Sequence, residues 1–577
     1  MLRKFNPSPF VGYLIAIVLA VFTYFYGLDS QHIPKNGDEF VYAHITRITA
    51  ESGHLLPLQS QFKEMRNTKP PLLFWQGITS TNWGQSWSLW NLRYPSVIYT
   101  LLTALLVFLL TSKLAQGQKV ESTSTPAHTG IIAALTYLAF FSTYRYGRPF
   151  LINPAESFWF FLPFFTLLYW RSFAFDSLLS IPLLLGFQVG IGLLYKSFAL
   201  VVPIGLALAW WYLHQRDYRW QAFLHKDAWK VVTIGVLSLA MFGLWFAFDP
   251  DPQAVWREFV IGENAAKFDP NSGGYFANLL WGGSSLWALL VGYPMNAGLL
   301  AFPVIAVFWI AYRRRKVLSD AEKMLWIWLA VLLFVFTLPS QRTARYLLEA
   351  MPGLAILCAL NWQRINRGFF VASLLFSGLV LALLTFLSWR LQNEMPDGGL
   401  YSPSYWLLVF VALALTLVAI FWARYTRALV NVVVLLVMLT LAAFLRPLDG
   451  AAGNFSAEAQ RYALGKDVWT PCNFRAVDEG YRFLLPGAKV HGYLSDQPLS
   501  VSELSTRYNL FAVQMPLKEK CEGCKIIGQR LEIRSRHTSD EIKRIFKGEA
   551  FQLLFVKELL IDAPDAVTMQ PLVEGCR

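Results

Sequence analysis

Charge is scarce in this chain. Of its 577 residues only 15% are Asp, Glu, Lys or Arg, while 55% are hydrophobic, a balance that excludes an ordinary soluble enzyme. The net charge of +13 collects in no soluble basic patch, which excludes a nucleic-acid footprint. No repeat with a period of about 20–50 residues and no low-complexity tract is present, and the two halves lack the symmetry common in transporters. Cysteine is limited to five residues. Cys358 falls in an apolar run and reads as a packing residue. Cys472, Cys521, Cys524 and Cys576 are the disulfide candidates; they allow three pairings, which the sequence leaves open. Cys521-Glu522-Gly523-Cys524 would be half of a zinc site, but no second such pair and no histidine pair accompanies it.

What the chain has in abundance is long apolar runs. About thirteen are long enough for membrane spans, centred near residues 18, 103, 137, 163, 187, 205, 238, 297, 330, 353, 377, 414 and 435. Basic residues favour the cytoplasmic side of a membrane. With Arg3 and Lys4 inside, the connections holding Lys113, Arg171, Arg216, Arg313-Arg314-Arg315, Arg364 and Arg424 are inside too. An odd number of spans then puts the last part of the chain outside, where disulfides persist. The reading is an α-helical polytopic membrane protein, residues 1–446, followed by a small C-terminal α/β domain, residues 447–577. In that domain Lys489–Leu494, Leu510–Gln514, Arg530–Arg534 and Phe551–Val556 are expected strands, and Thr538–Lys547 a helix. It holds no nucleophile motif, phosphate loop or metal cluster.

Polar residues that bear chemistry gather at outer ends of the spans and in the first long loop, residues 29–92. Asp38 to Ser52 reads as a helix with Phe40, Ala43, Ile45 and Ile48 on a buried face, stopped by Gly53. Asp38 and Glu39 lie at its start, where the helix dipole favours carboxylates; facing a cavity, they would serve as general base or hold a divalent metal. Lys69 precedes Pro70-Pro71, so its backbone is extended and stiff. Trp75, Trp83, Trp87 and Trp90 mark the membrane interface. A second outer loop begins at Asp249 and includes the flexible run Asp269–Gly274. Arg145, Arg148, Lys196, Arg342 and Arg345 put cations at outer helix ends, where few are expected. With Lys69 they form a set suited to a lipid-linked phosphate.

Four segments resemble those of GT-C fold glycosyltransferases that use polyprenyl-phosphate sugars, in particular the aminoarabinose transferases of lipid A and the wider protein-mannosyltransferase-like family. Asp38-Glu39 with Tyr42 resembles the Asp-Glu-x-x-Tyr that follows the first span. Lys69-Pro70-Pro71 resembles the Lys-Pro-Pro motif. Gly190 to Lys196 resembles a Gly-x-x-x-x-x-Lys segment, and Arg345-Tyr346 to Pro352 a basic-Tyr-Pro region. The resemblance implies Asp38 and Glu39 as catalytic residues, Lys69, Arg345, Lys196 and Arg148 around the donor phosphate, and Tyr42, Tyr346, Glu156 and Asn153 in contact with substrate. It also implies a bacterial inner membrane with the C-terminal domain in the periplasm. Departures are plain: Val41 and Thr68 replace charged residues, Asn153 stands where an aspartate is usual, and a histidine is missing between Glu263 and Phe268. Aminoarabinose specificity is therefore not inferred. The expected activity is inverting transfer of a sugar from polyprenyl phosphate to an envelope acceptor: lipid A or lipopolysaccharide, another glycan, or protein. The rival reading is a transporter or flippase of envelope glycolipids.

Overall fold

The computed structural model describes residues 9–33, 37–62, 65–116, 125–265, 275–281, 285–394, 399–473, 475–494, 500–534 and 537–563. A helical part ends with Ala423–Leu445 and is followed by a five-stranded sheet. Every expected span centre falls within a helical element, but among the described residues seven helical segments are both long and apolar enough to cross a membrane. They include Leu89–Gln116, Ala228–Phe248, Arg367–Glu394 and Pro403–Phe421. The expectation of thirteen is thus not met by helix length. Met351–Leu360, for example, has 10 residues and every one of them is buried. A helix enclosed by protein is as apolar as one facing lipid, so composition alone does not separate the two.

Small residues let these helices approach closely. Ser180–Tyr195 packs on Ala228–Phe248, where a Cβ at Gly186 would sit 3.0 Å from Leu237 and one at Gly190 2.6 Å from the Met241 sulfur. The glycines of the Gly190–Lys196 motif therefore serve packing, and they deliver Lys196 at the end of that helix.

The strands are β1 (Asp467–Cys472), β2 (Lys489–Leu494), β3 (Leu510–Pro516), β4 (Lys525–Ile533) and β5 (Phe555–Asp562), in the order β2-β1-β3-β5-β4. β1 runs parallel to β2 and β3, while β5 is antiparallel to both β3 and β4. Sequence reading missed β1. It also put a strand over Phe551–Val556, where Ala550–Leu554 is helical and β5 begins at Phe555; short apolar runs fit either state. The helix expected from Thr538 starts there, with Thr538 and Glu541 capping each other's backbone amides. Cys521 and Cys524 are bonded, Cys472 is also disulfide-bonded, and Cys358 is free and buried. Cys576 and Asp269–Gly274 lie outside the described residues. Trypsin cuts after Lys520 and Lys525, so protein from intact cells should yield the 521–525 peptide two hydrogens lighter than its dithiol form. Recovery with both thiols open to alkylation would contradict the bond.

The sheet domain is seated on the first loop. The helix Gly37–Glu51 is buried almost all round, because its polar side faces the domain rather than water. Arg47 donates to both carboxylate oxygens of Glu479, at 2.8 and 3.0 Å, and His44 Nδ1 lies 3.4 Å from the same carboxylate. Gln31 donates to the Gly480 carbonyl, and Trp87 stacks on Phe483. Burial alone would raise the Glu479 carboxyl, but His44, Arg47 and Arg482 outweigh it and hold the pKa at about 2. A depressed folded-state pKa stabilises above the ordinary value of 4.5 and loses that contribution as pH falls through about 2. Protection of the amides at this seam, taken relative to the intrinsic exchange rate at each pH, should therefore fall between about pH 4.5 and 2, and Glu479→Gln should flatten that dependence. An unchanged profile in the variant would contradict the assignment.

Candidate functional site

A cavity of about 400 Å³ opens between the first loop, the second outer loop and the segment before Met351. Asp38, Tyr42, Lys69, Lys196, Arg345 and Tyr346 all line it. These residues come from four separated stretches, and local chemistry delivers each. Asp38 sits in the first turn of its helix. Lys69 lies in a bend that follows a turn at Arg66-Asn67, not in the extended backbone expected, and Pro71 then takes the N-cap position of the helix Leu72–Ser80. Lys196 caps the C-terminus of Ser180–Tyr195, an end that favours a cation. Arg345 is the second residue of the short 3-10 helix Ala344–Ala350, and its backbone amide donates to the capping Thr343 hydroxyl.

Arg345, Lys69 and Lys196 are each held by an acidic or amide oxygen. Arg345 Nη1 donates to Asp38 Oδ2 at 2.7 Å, and its Nε and Nη2 donate to Asn153 Oδ1 at 3.1 and 2.7 Å. Lys69 Nζ donates to Glu263 Oε1 at 2.5 Å. Lys196 Nζ lies 2.9 Å from Glu156 Oε1. Glu156 in turn accepts from Asn153 Nδ2 at 2.9 Å. Like charges in a poorly solvated pocket repel unless anions balance them, and these carboxylates do so. Four cationic and two anionic side chains line the cavity, so its own balance is positive.

Three expectations change. Glu39 was expected to be catalytic or metal-binding beside Asp38. It is 1% exposed, and both its oxygens accept from Arg93, at 2.6 and 2.7 Å; Oε1 also accepts from the Phe150 amide. Neighbours on a helix point about 100° apart, so Asp38 meets the cavity and Glu39 the protein interior. Arg148 was expected at the donor phosphate. It is fully buried and donates to the carbonyls of Tyr24 and Tyr26 and to the Tyr144 hydroxyl. A guanidinium there satisfies carbonyls left open at the end of the helix Pro9–Phe25. Asn153 and Glu156 were expected at substrate. Both are buried behind the cavity and hold Arg345 and Lys196 in place.

Glu263 and Arg475 line the cavity although neither was expected to. Glu263 lies in the second outer loop, which had drawn attention for its flexible run and for a missing histidine, not for this acid. Arg475 belongs to the sheet domain, far away in sequence, and its side chain passes within 3.2 Å of where a Cβ on Gly37 would be. No local signal marks it. Among the described residues no group of three or more His, Cys, Asp or Glu side chains forms a set able to hold a metal ion.

No protein-family model matches the chain. It is 27% identical over 364 residues to the undecaprenyl phosphate-alpha-4-amino-4-deoxy-L-arabinose arabinosyl transferase of Edwardsiella ictaluri, an alignment covering 62% of this chain and 60% of that protein. It is 24% identical over 425 residues to the corresponding transferase 2 of Proteus mirabilis, covering 71% of each. The chain thus spans less than two thirds of the first relative's length. Crystal structures of ArnT from Cupriavidus metallidurans superpose with TM-scores of 0.57, bound to undecaprenyl phosphate, and 0.59, in the apo state. Both are 16% identical; the matches cover 98% and 97% of this chain and all of each structure. The chain is a multi-pass membrane protein with the fold of ArnT, and the resemblance its motifs indicated, to GT-C glycosyltransferases of the aminoarabinose transferase kind, is borne out.

Proposed function

We propose that this chain is a membrane glycosyltransferase that moves a sugar from a polyprenyl-phosphate donor to an acceptor in the cell envelope. The membrane is the bacterial inner membrane, residues 1–446 form the catalytic part, and the 447–577 domain is periplasmic. The observation that bears most weight is the gathering of Lys69, Lys196 and Arg345 around Asp38 in one cavity. A phosphate leaving group is already a stable anion near neutral pH. It needs cations placed where charge develops more than it needs a general acid. Lys69 and Arg345 supply them, each exchanging a carboxylate partner for phosphate oxygens. Lys196 adds a third cation, held by the buried Glu156. Asp38, released from Arg345 by the incoming phosphate, takes the proton of a hydroxyl acceptor or orients a phosphate acceptor. A single displacement inverts the anomeric centre.

Lys69 tests this reading. Lys69→Ala should weaken binding of undecaprenyl phosphate and lower kcat/KM together, since one cation meets both the bound and the departing phosphate. A loss of about ten-fold or more in each is expected, as for one charge-assisted contact. The checks are native mass spectrometry with undecaprenyl phosphate and a transfer assay in proteoliposomes. Unchanged donor binding in Lys69→Ala would remove Lys69 from the phosphate site.

A further inference from the structure

A second cavity, of about 620 Å³, lies at the other end of the helical part. It takes the beginnings of Pro9–Phe25, Pro126–Ala139 and Ala423–Leu445, and the turn that follows Met351–Leu360. The candidate active site takes the opposite ends of the same chain segments. Asp38 follows the first helix, Ile152 follows the second, and Arg345 precedes Met351. The two cavities therefore lie at opposite ends of these segments, and the second shares no residue with the first; with the candidate active site on the outer face, as proposed above, the second lies toward the inner face.

The second cavity is built for an anion with an apolar tail. Arg424 and Arg427 line it, and no carboxylate does. Arg427 donates one Nη to the Ile365 carbonyl at 2.8 Å, but its buried Nε has no hydrogen-bond partner. Asn431 is 4% exposed; its Nδ2 donates to Thr136 at 3.0 Å, while its Oδ1 is buried without a donor. A buried polar atom without a partner is costly and marks a missing group. Here the missing groups are an acceptor for Arg427 and a donor for Asn431. Beyond them, Ile132 and Leu135 give the cavity an apolar wall.

We infer that this cavity binds one anionic phospholipid of the inner leaflet whose headgroup bears hydroxyls. The phosphate accepts from Arg424 and Arg427, a headgroup hydroxyl donates to Asn431 Oδ1, and an acyl chain lies along Ile132 and Leu135. The site ties the first helix to the last one before the sheet domain. It is independent of the proposed transfer reaction.

The test is native mass spectrometry of the full-length protein with phosphatidylglycerol, using phosphatidylcholine of the same chains for comparison. One phosphatidylglycerol should stay bound preferentially. Arg424→Gln and Arg427→Gln should each weaken it by about five-fold, the usual contribution of one basic group at an anionic membrane surface. Arg424 is exposed, its guanidinium lying 4.4 Å from the Tyr425 ring centre, so Arg424→Gln should fold normally and serves as the deciding variant if Arg427→Gln does not. Asn431→Leu should abolish the preference for phosphatidylglycerol over phosphatidic acid, which lacks headgroup hydroxyls. Equal retention of phosphatidylglycerol and phosphatidylcholine, or no loss in Arg424→Gln, would overturn the proposal. Displacement by excess glycerol phosphate would overturn it too, by making the ligand a soluble phosphate.

Discussion

Asp38→Asn is expected to lower sugar transfer by about 10²–10⁴-fold, the usual contribution of a positioned base, with little change in melting temperature. The side chain is 49% exposed at the mouth of the cavity, and an asparagine fits the same space. Its loss as an anion also frees Arg345, with which it pairs at 2.7 Å. Undecaprenyl phosphate should therefore bind the variant at least as tightly as the native protein. Transfer lost with donor binding kept would separate a role in the chemical step from a role in folding or donor capture. Near-native turnover of Asp38→Asn in proteoliposomes would refute the role of Asp38.

The neighbouring residue should behave in the opposite way. Glu39→Ala leaves Arg93, itself 1% exposed, buried without its carboxylate. Breaking a buried ion pair from one side costs about 3–5 kcal/mol, a large share of the roughly 5–15 kcal/mol that holds a typical domain folded. The carbonyls of Leu28 and Ser30, which also accept from Arg93, would lose their fixed donor. Low yield and a lowered melting temperature are expected, with specific activity per folded molecule much less affected. A double change, Glu39→Met with Arg93→Met, should recover part of the loss, because replacing both partners leaves no unpaired charge. A Glu39→Ala protein of native stability, or one stable but inactive, would show that Glu39 does something other than anchor the loop.

The contrast between these two acids also marks the limit of sequence reading. Asp38 and Glu39 are adjacent, share the same motif and are equally favoured at a helix start. Which of them meets the cavity depends on how the helix Gly37–Glu51 is rotated, and that rotation is set by Arg93 on one side and Glu479 on another. Neither partner lies near the helix in sequence. Arg148 misled for a related reason. A cation at an outer helix end suits either a phosphate or orphaned carbonyls, and the carbonyls of Tyr24 and Tyr26 were within its reach.

The sequence by itself determined that this is a polytopic membrane protein with a separate mixed α/β region after the last helices. Hydropathy and alternation are local properties, and a backbone in lipid has few ways to satisfy its polar groups. It also pointed to Asp38, Lys69, Lys196 and Arg345, because a charge next to an apolar span is costly without a task. The tertiary structure alone decided that these four share one cavity with Glu263 and Arg475, that Glu39 and Arg148 are anchors, and that Asn153 and Glu156 stand behind the cations. Those are facts about distances between residues separated by up to several hundred positions. They follow from how the helices and the sheet domain pack, which no local pattern encodes.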